Sequence, residues 1–280
     1  MKYDKIEKIS NTVIQHGKNN DRIYVMKLDK NDYPKVLKKI NSLADKNQYS
    51  KIFAKIPKWA VDEFKNDGYI KEGTIPRLYN GKTDAFFYSK FLDHSRAKIS
   101  PEVKKKIDDN IKLALSKKKP YLNIHFKPGL KLKKLNENNI RDLAKLYKTV
   151  FNTYPFPIFD PDFLKNTMDN NVVYFGVYEK QNLIAAASSE MYVATKNAEM
   201  TDFATHPDYR GHNLSMTLLR EMEAEMRLRK MKTLYTIARS HSAGMNITFS
   251  KLNYIYSGTL INNTDIAGKI ESMNIWYKNL

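Results

Sequence analysis

The chain has 280 residues, a net charge of +18, 42% hydrophobic residues and no cysteine. That length leaves room for one large core or two smaller ones, and the missing cysteines exclude disulfides, thiolate metal sites and a cysteine nucleophile. No stretch is apolar enough to span a bilayer, and the start MKYDKIEKIS lacks the apolar region of a signal peptide, so the expected setting is the cytoplasm without a membrane partner.

Residues 11–28 read as a β-hairpin turning at Gly17-Lys18-Asn19-Asn20. Residues 32–46 carry Val36, Leu37, Ile40, Leu43 and Ala44 at helical spacing. A strand over 51–56 and a short helix over 59–66 follow, the helix stopping at Asp67-Gly68. Strands over 69–78 and 85–92 flank Asn80-Gly81, and Pro101 starts a basic helix to about residue 118, before the break at Lys119-Pro120. The lysine clusters Lys104-Lys105-Lys106 and Lys117-Lys118-Lys119 read as its solvated face. No nucleic-acid partner is expected, and a positive field suits a polyanionic cofactor.

The second half opens with a strand over 130–135 and a helix over 140–151. The run Asn152-Thr153-Tyr154-Pro155-Phe156-Pro157-Ile158-Phe159-Asp160-Pro161 is a stiff apolar segment, either a packed connector or a loop covering a substrate. A short helix over 163–168 leads into strands over 172–178, 183–192 and 198–205. Then come a helix from Leu214, a strand over 233–238, a helix over 243–252 and strands over 254–261 and 272–277. The pattern predicts an α+β fold with a mixed sheet. Residues 22–92 and 198–277 run through the same order of strands and helices, so the expected division is residues 1–125 and 126–280.

The junction after the 198–205 strand carries the most specific signal. His206-Pro207-Asp208 breaks the strand, and Arg210-Gly211-His212-Asn213-Leu214-Ser215 forms a polar loop opening an amphipathic helix. Free backbone N–H groups at a helix start, beside a forked cation, make an anion site. The strand before it carries Glu199 and Asp202, whose odd separation predicts opposite faces; Glu190 lies on the neighbouring strand. A carboxylate there could accept a proton from an alkyl ammonium, whose deprotonation at pH 7 costs about 4.6 kcal/mol. The six histidines show no metal-binding spacing, so no metal is expected.

The loop resembles the acyl-CoA-binding signature of the GNAT acetyltransferase superfamily, R/Q-x-x-G-x-G/A, with Arg210 on its first position, Asn213 at a glycine position and Ser215 where Gly or Ala is usual. The N-terminal part then resembles a degenerate copy of half a GNAT fold: its corresponding junction, Asp29-Lys30-Asn31-Asp32-Tyr33-Pro34, has no arginine and no glycine. The resemblance implies acetyl-CoA as cosubstrate, held around Phe203, Thr205, Arg210, Gly211, His212, Asn213, Leu214, Ser215 and Asn246. It implies Glu199 as base, with Asp202 as a second catalytic candidate. The tyrosine that protonates the leaving thiolate in many GNAT enzymes is replaced by Phe249, leaving water or one of Tyr235, Tyr256 and Tyr277 open.

Further blocks narrow the resemblance. Ile14-Gln15-His16-Gly17, Asn20-Asp21-Arg22-Ile23-Tyr24, Tyr154-Pro155-Phe156-Pro157-Ile158, Asn262-Asn263-Thr264 and Glu271-Ser272-Met273-Asn274-Ile275-Trp276-Tyr277 resemble the β-lysine Nε-acetyltransferase family. This implies acetyl transfer to the 6-amine of β-lysine, giving an osmolyte, with a lysine 2,3-aminomutase supplying the substrate. Tyr154, Phe156, Glu190 and Asp202 become the substrate-binding candidates. Another small amine or a peptide as acceptor, or an RNA-binding protein with a vestigial fold, are the alternatives; a homodimer is left open.

Overall fold

The computed structural model describes residues 3–118 and 128–280. The elements run β1 (Lys5–Ile9), β2 (Thr12–Gly17), β3 (Arg22–Lys27), α1 (Lys35–Asn47), β4 (Lys51–Pro57), α2 (Val61–Asn66), β5 (Ile70–Tyr79), β6 (Thr83–Phe91) and α3 (Pro101–Ser116). They continue with β7 (Leu130–Lys134), α4 (Ile140–Val150), α5 (Pro161–Asn170), β8 (Val172–Glu179), β9 (Asn182–Tyr192), β10 (Asn197–Thr205), α6 (Leu214–Leu228), β11 (Thr233–Arg239), α7 (Ala243–Lys251), β12 (Ile255–Ile266) and β13 (Lys269–Asn279).

Several boundaries differ from the sequence reading for local reasons. β1 was not expected, because its sequence KIEKI is largely polar and mostly exposed, as suits an edge strand. α5 starts two residues early, where the Asp160 side chain caps it and Pro161 occupies its first turn. β12 and β13 extend into a longer hairpin than expected. The expected division at residue 125 and the break at Lys119-Pro120 lie outside the described residues.

The thirteen strands of the described residues belong to one mixed sheet, ordered β1-β2-β3-β4-β6-β5-β12-β13-β11-β10-β9-β8-β7. Outward from the β5–β12 seam, both directions repeat one plan. β6 and β13 come next, then the parallel pairs β4/β3 and β11/β10, whose crossovers are α1 and α6. The seam has a single ladder position, Gly73 opposite Gly258. A Cβ on Gly258 would lie 2.0 Å from the Glu72 carbonyl oxygen, and one on Gly73 would lie 2.6 Å from Ile275 Cδ1. Only glycine allows the backbones that close. Buried Glu72 stitches the seam: it pairs with Lys51 at 3.1 Å and accepts the Ile261 N–H at 2.7 Å.

Strand alternation gives the N-terminal half two different faces. Ile23, Val25, Ile52, Ala54 and Ile56 pack under α1 and α2. Tyr24 and Phe53 turn the other way, into a cluster shared with Tyr235, Leu260, Met273 and Ile275 of the second half. α3 also crosses over: Ala114 joins the core beneath α6 and α7, and Asn110 donates to the Ser240 carbonyl at 2.9 Å. Among the described residues no helix is long and apolar enough to cross a membrane, and no group of three or more His, Asp or Glu could hold a metal ion.

Candidate active site

β10 and β11 pair only over three positions, Asn197–Glu199 opposite Thr233–Tyr235. Beyond these a cavity of about 850 Å³ opens, walled by Thr201, Asp202, Phe203 and Thr205 on one strand and by Thr236, Ile237, Ala238 and Arg239 on the other. α6 begins at the mouth. Gly211 has φ +85 and Asn213 φ +58, both left-handed conformations that glycine and asparagine tolerate better than most residues. Asn213 caps α6 without a side-chain bond, and its carbonyl accepts the Met216 N–H at 3.0 Å, the first bond to turn back into the helix. Arg210, Gly211, Asn213, Leu214 and Ser215 line the cavity. His212 does not; its Nδ1 lies 3.2 Å from the Tyr209 carbonyl oxygen.

Asn246 is also absent from the wall. Its Nδ2 donates to the Arg239 and Ser242 carbonyls, and its Oδ1 accepts from Asn274 and Trp276. With four partners inside the protein, it fixes α7 against β11 and β13 and has no free polar atom for a cofactor.

The expectation that Glu199 and Asp202 face opposite sides fails. From Thr201 to Ala204, β10 advances three residues while β9 advances two, a β-bulge, and Asp202 sits in it with φ +55. The extra residue cancels the alternation, and both carboxylates line the cavity with Glu190. Tyr154 and Ser188 each donate to Asp202 at 2.5 Å. Burial raises the Asp202 pKa against these bonds. Glu190 lies opposite Glu199 in the ladder. Burial, then the charge of Glu190, pushes the Glu199 pKa up to about 7, with Lys55 pulling it down. Glu190 is raised by burial despite the Tyr192 hydroxyl, which donates to it at 3.0 Å.

Lys55 belongs to β4, so the N-terminal half supplies the cation of this cluster. Its ammonium donates to the Tyr235 hydroxyl at 2.6 Å and stands 4.3 Å from the Tyr192 ring centroid. Lys55 itself does not line the cavity, but Arg22, Tyr24, Met26 and Phe53 of the same half do. The sequence reading missed them all. The available signal was the alternation in Arg22/Tyr24 and Lys51/Phe53/Lys55, which puts cations and aromatics on one face of two central strands.

The aromatic-proline segment is packed into the protein and also borders the cavity. Ile158 is buried, and Pro155 is pinned by Gln15, whose Nε2 donates to its carbonyl at 2.7 Å. Tyr154, Pro155 and Phe156 nevertheless form part of the cavity wall. Phe249 lines the cavity and stacks edge-on against Phe203. None of Tyr235, Tyr256 and Tyr277 reaches the wall.

The arrangement suits removal of a proton from an amine: a carboxyl titrating near neutrality, beside an anion-binding helix start, in a cavity lined mostly by nonpolar surface. The profile of the acetyltransferase (GNAT) family matches residues 138–247. Over 275 residues, 98% of each chain, the protein is 43% identical to the beta-lysine N(6)-acetyltransferase of Methanococcus maripaludis. It is 34% identical to the beta-lysine N(6)-acetyltransferase of Methanosarcina mazei, across 80% of this chain and 89% of that one. It is 36% identical to the N-acetyltransferase YodP of Bacillus subtilis, across 76% of each. This chain belongs to the GNAT family of acetyl-CoA-dependent N-acetyltransferases, and within it to the family of the β-lysine N(6)-acetyltransferases.

Proposed function

We propose that this enzyme moves the acetyl group of acetyl-CoA to the 6-amine of β-lysine, yielding Nε-acetyl-β-lysine. The two relatives named for that reaction support the substrate. The observation that carries the chemistry is the convergence of Glu190, Glu199 and Asp202 on one cavity below the α6 loop. In this reading Gly211, Asn213, Leu214 and Ser215 turn backbone N–H groups to the pyrophosphate, with Arg210 adding charge. Phe203 and Thr205 flank the pantetheine arm. Asn246 and His212 have no place in this cofactor site.

Glu199 accepts the ammonium proton, directly or through a water; the free amine then attacks the thioester carbonyl, the C–S bond breaks, and the CoA thiolate leaves and takes up the second proton of that nitrogen. A base titrating near 7 is half ionised at neutral pH, close to the optimum for general-base work. Asp202 is held by Tyr154 and Ser188, so it orients the acceptor amine rather than receiving its proton. Glu190 supports a second ammonium, and Phe156 and Tyr154 cover the chain of the substrate. The N-terminal half, proposed as a half-domain of residues 1–125, walls the substrate side and binds no CoA. The test is acetyl-CoA turnover against β-lysine, α-lysine, diamines and short peptides. The proposal expects the highest kcat/KM for β-lysine; a preference for α-lysine would overturn the substrate and leave the transferase standing.

A further inference from the structure

The inner face of the N-terminal half carries three buried cations, and their partners differ. Lys51 is paired with Glu72 at 3.1 Å. Lys55 faces Glu199 and Glu190; burial lowers its pKa, and the two charges oppose that shift. Arg22 is 4% exposed and has no carboxylate within ion-pair distance among the described residues. One of its terminal nitrogens donates to the Asn263 carbonyl and, at 3.0 Å, to Thr264 Oγ1. Its Nε is buried without a partner, as is the acceptor Asn263 Oδ1 beside it. Asp4, the acid whose charge bears on Arg22, is already taken by the N–H groups of Asn19 and Asn20. Burial lowers the Arg22 pKa to about 10, so it remains charged at neutral pH. A buried, charged guanidinium with an empty donor is costly unless an anion completes it.

Arg22, Asn263 and Thr264 all line the cavity that holds Glu190, Glu199 and Asp202. Between the two ends stands Tyr24, within reach of the charges of Glu199, Glu190 and Arg22. The cavity is therefore polarised, cationic at one end and acidic at the other. We propose that Arg22 binds the carboxylate of the acceptor substrate and thereby sets which of its amines reaches the thioester. The substrate then lies along the cavity with its remote ammonium against the acids. This assignment rests on the β-lysine reading. It adds a specificity residue from the half of the chain that lacks the phosphate loop.

The test compares β-lysine with β-lysinamide, which keeps both amines and loses the negative charge. The wild type is expected to prefer the acid by about 10²-fold or more in kcat/KM, as sites built around a buried polar partner do. Arg22→Gln should lower kcat/KM for β-lysine by about 10²–10³-fold, mainly through KM, and leave the amide within several-fold. Arg22→Lys should recover part of the loss, since it restores charge without the fork. Acetyl-CoA affinity by calorimetry should stay unchanged in both variants. Equal wild-type kcat/KM for acid and amide would overturn the assignment, even where a variant failed to fold. So would a parallel loss on both substrates in Arg22→Gln, which is the signature of a purely structural arginine. A wild type that acetylates neither compound would overturn the β-lysine reading and this assignment with it. Good turnover of β-lysine without acid–amide discrimination would remove Arg22 alone.

Discussion

The two halves of the sheet share a strand order and diverge where a parallel strand hands over to its crossover helix. After β10, Gly211 and Asn213 take left-handed conformations and leave the start of α6 open at the cavity. After β3, the corresponding junction has no glycine. Its Asp32 carboxylate faces the β1–β2 turn, accepting N–H groups from Asn11 at 2.8 Å and Thr12 at 2.7 Å. The inner faces diverge as well: acids on β9 and β10, cations on β3 and β4. In the function proposed above, one topology thus serves once as a cofactor cradle and once as a wall, because a few junction and face residues decide the chemistry while buried aliphatic residues keep the frame.

The comparison is broken most severely by removing the base of the cradle half. Glu199→Gln should lower turnover by roughly 10²–10⁴-fold while acetyl-CoA binding survives. The deficit should shrink at high pH, where free amine becomes abundant; near-normal turnover at pH 7 would move the base to Asp202 or Glu190. Next in size, Gly211→Asp sets a carboxylate among the N–H donors. It should weaken acetyl-CoA by about 10²-fold and cost stability only about 1 kcal/mol, the strain of a left-handed backbone at an otherwise open and exposed position. The same titration on the wild type should count one acetyl-CoA per chain; two would show that the β3–α1 junction binds as well.

A smaller effect concerns stability. The Glu199 pKa is raised on folding, from 4.5 to about 7. The folded state therefore holds this proton more tightly, and the group's contribution to stability is lost as pH climbs from about 4.5 to 7. Glu199→Gln removes that penalty and should stabilise the protein at pH 8 by roughly 1–3 kcal/mol, with little change at pH 4. Denaturant unfolding at both pH values measures it. Last, Lys55→Met sharpens the link between the halves. Without this cation Glu199 should titrate higher, moving the acidic limb of the kcat/KM profile up by about one pH unit.

The cradle was legible in the sequence because it is local: the strand, the turn, the loop and the Leu214, Leu218, Leu219, Met222, Met226 face lie within thirty residues. The repeat was legible for the same reason, as two runs of the same element types. The wall was not. Arg22 reaches the cavity, and Lys55 the acids beside it, only because the seam joins a six-strand and a seven-strand arm of the sheet, a pairing that leaves one glycine opposite another and no periodic trace. The bulge at Asp202 was hidden too. A left-handed residue among Met200, Thr201 and Phe203 breaks an alternation that otherwise reads as an unbroken strand. Asn246 misled because its residue type suits a cofactor contact, while its surroundings, Asn274 and Trp276, come from a strand 28 to 30 residues away.

The glycine seam has one more consequence. Proteins that build a site from two copies of a half-barrel or half-sheet obey mass action: on dilution the copies part and the site is lost. Here the two arms are segments of one polypeptide, so the second is held near the first at an effective concentration that no dilution changes. Lys55 stands beside the acids of β9 and β10, and Arg22 at the other end of their cavity, in every folded molecule. Activity per mole of chain should then be independent of enzyme concentration, down to the lowest level an assay can detect.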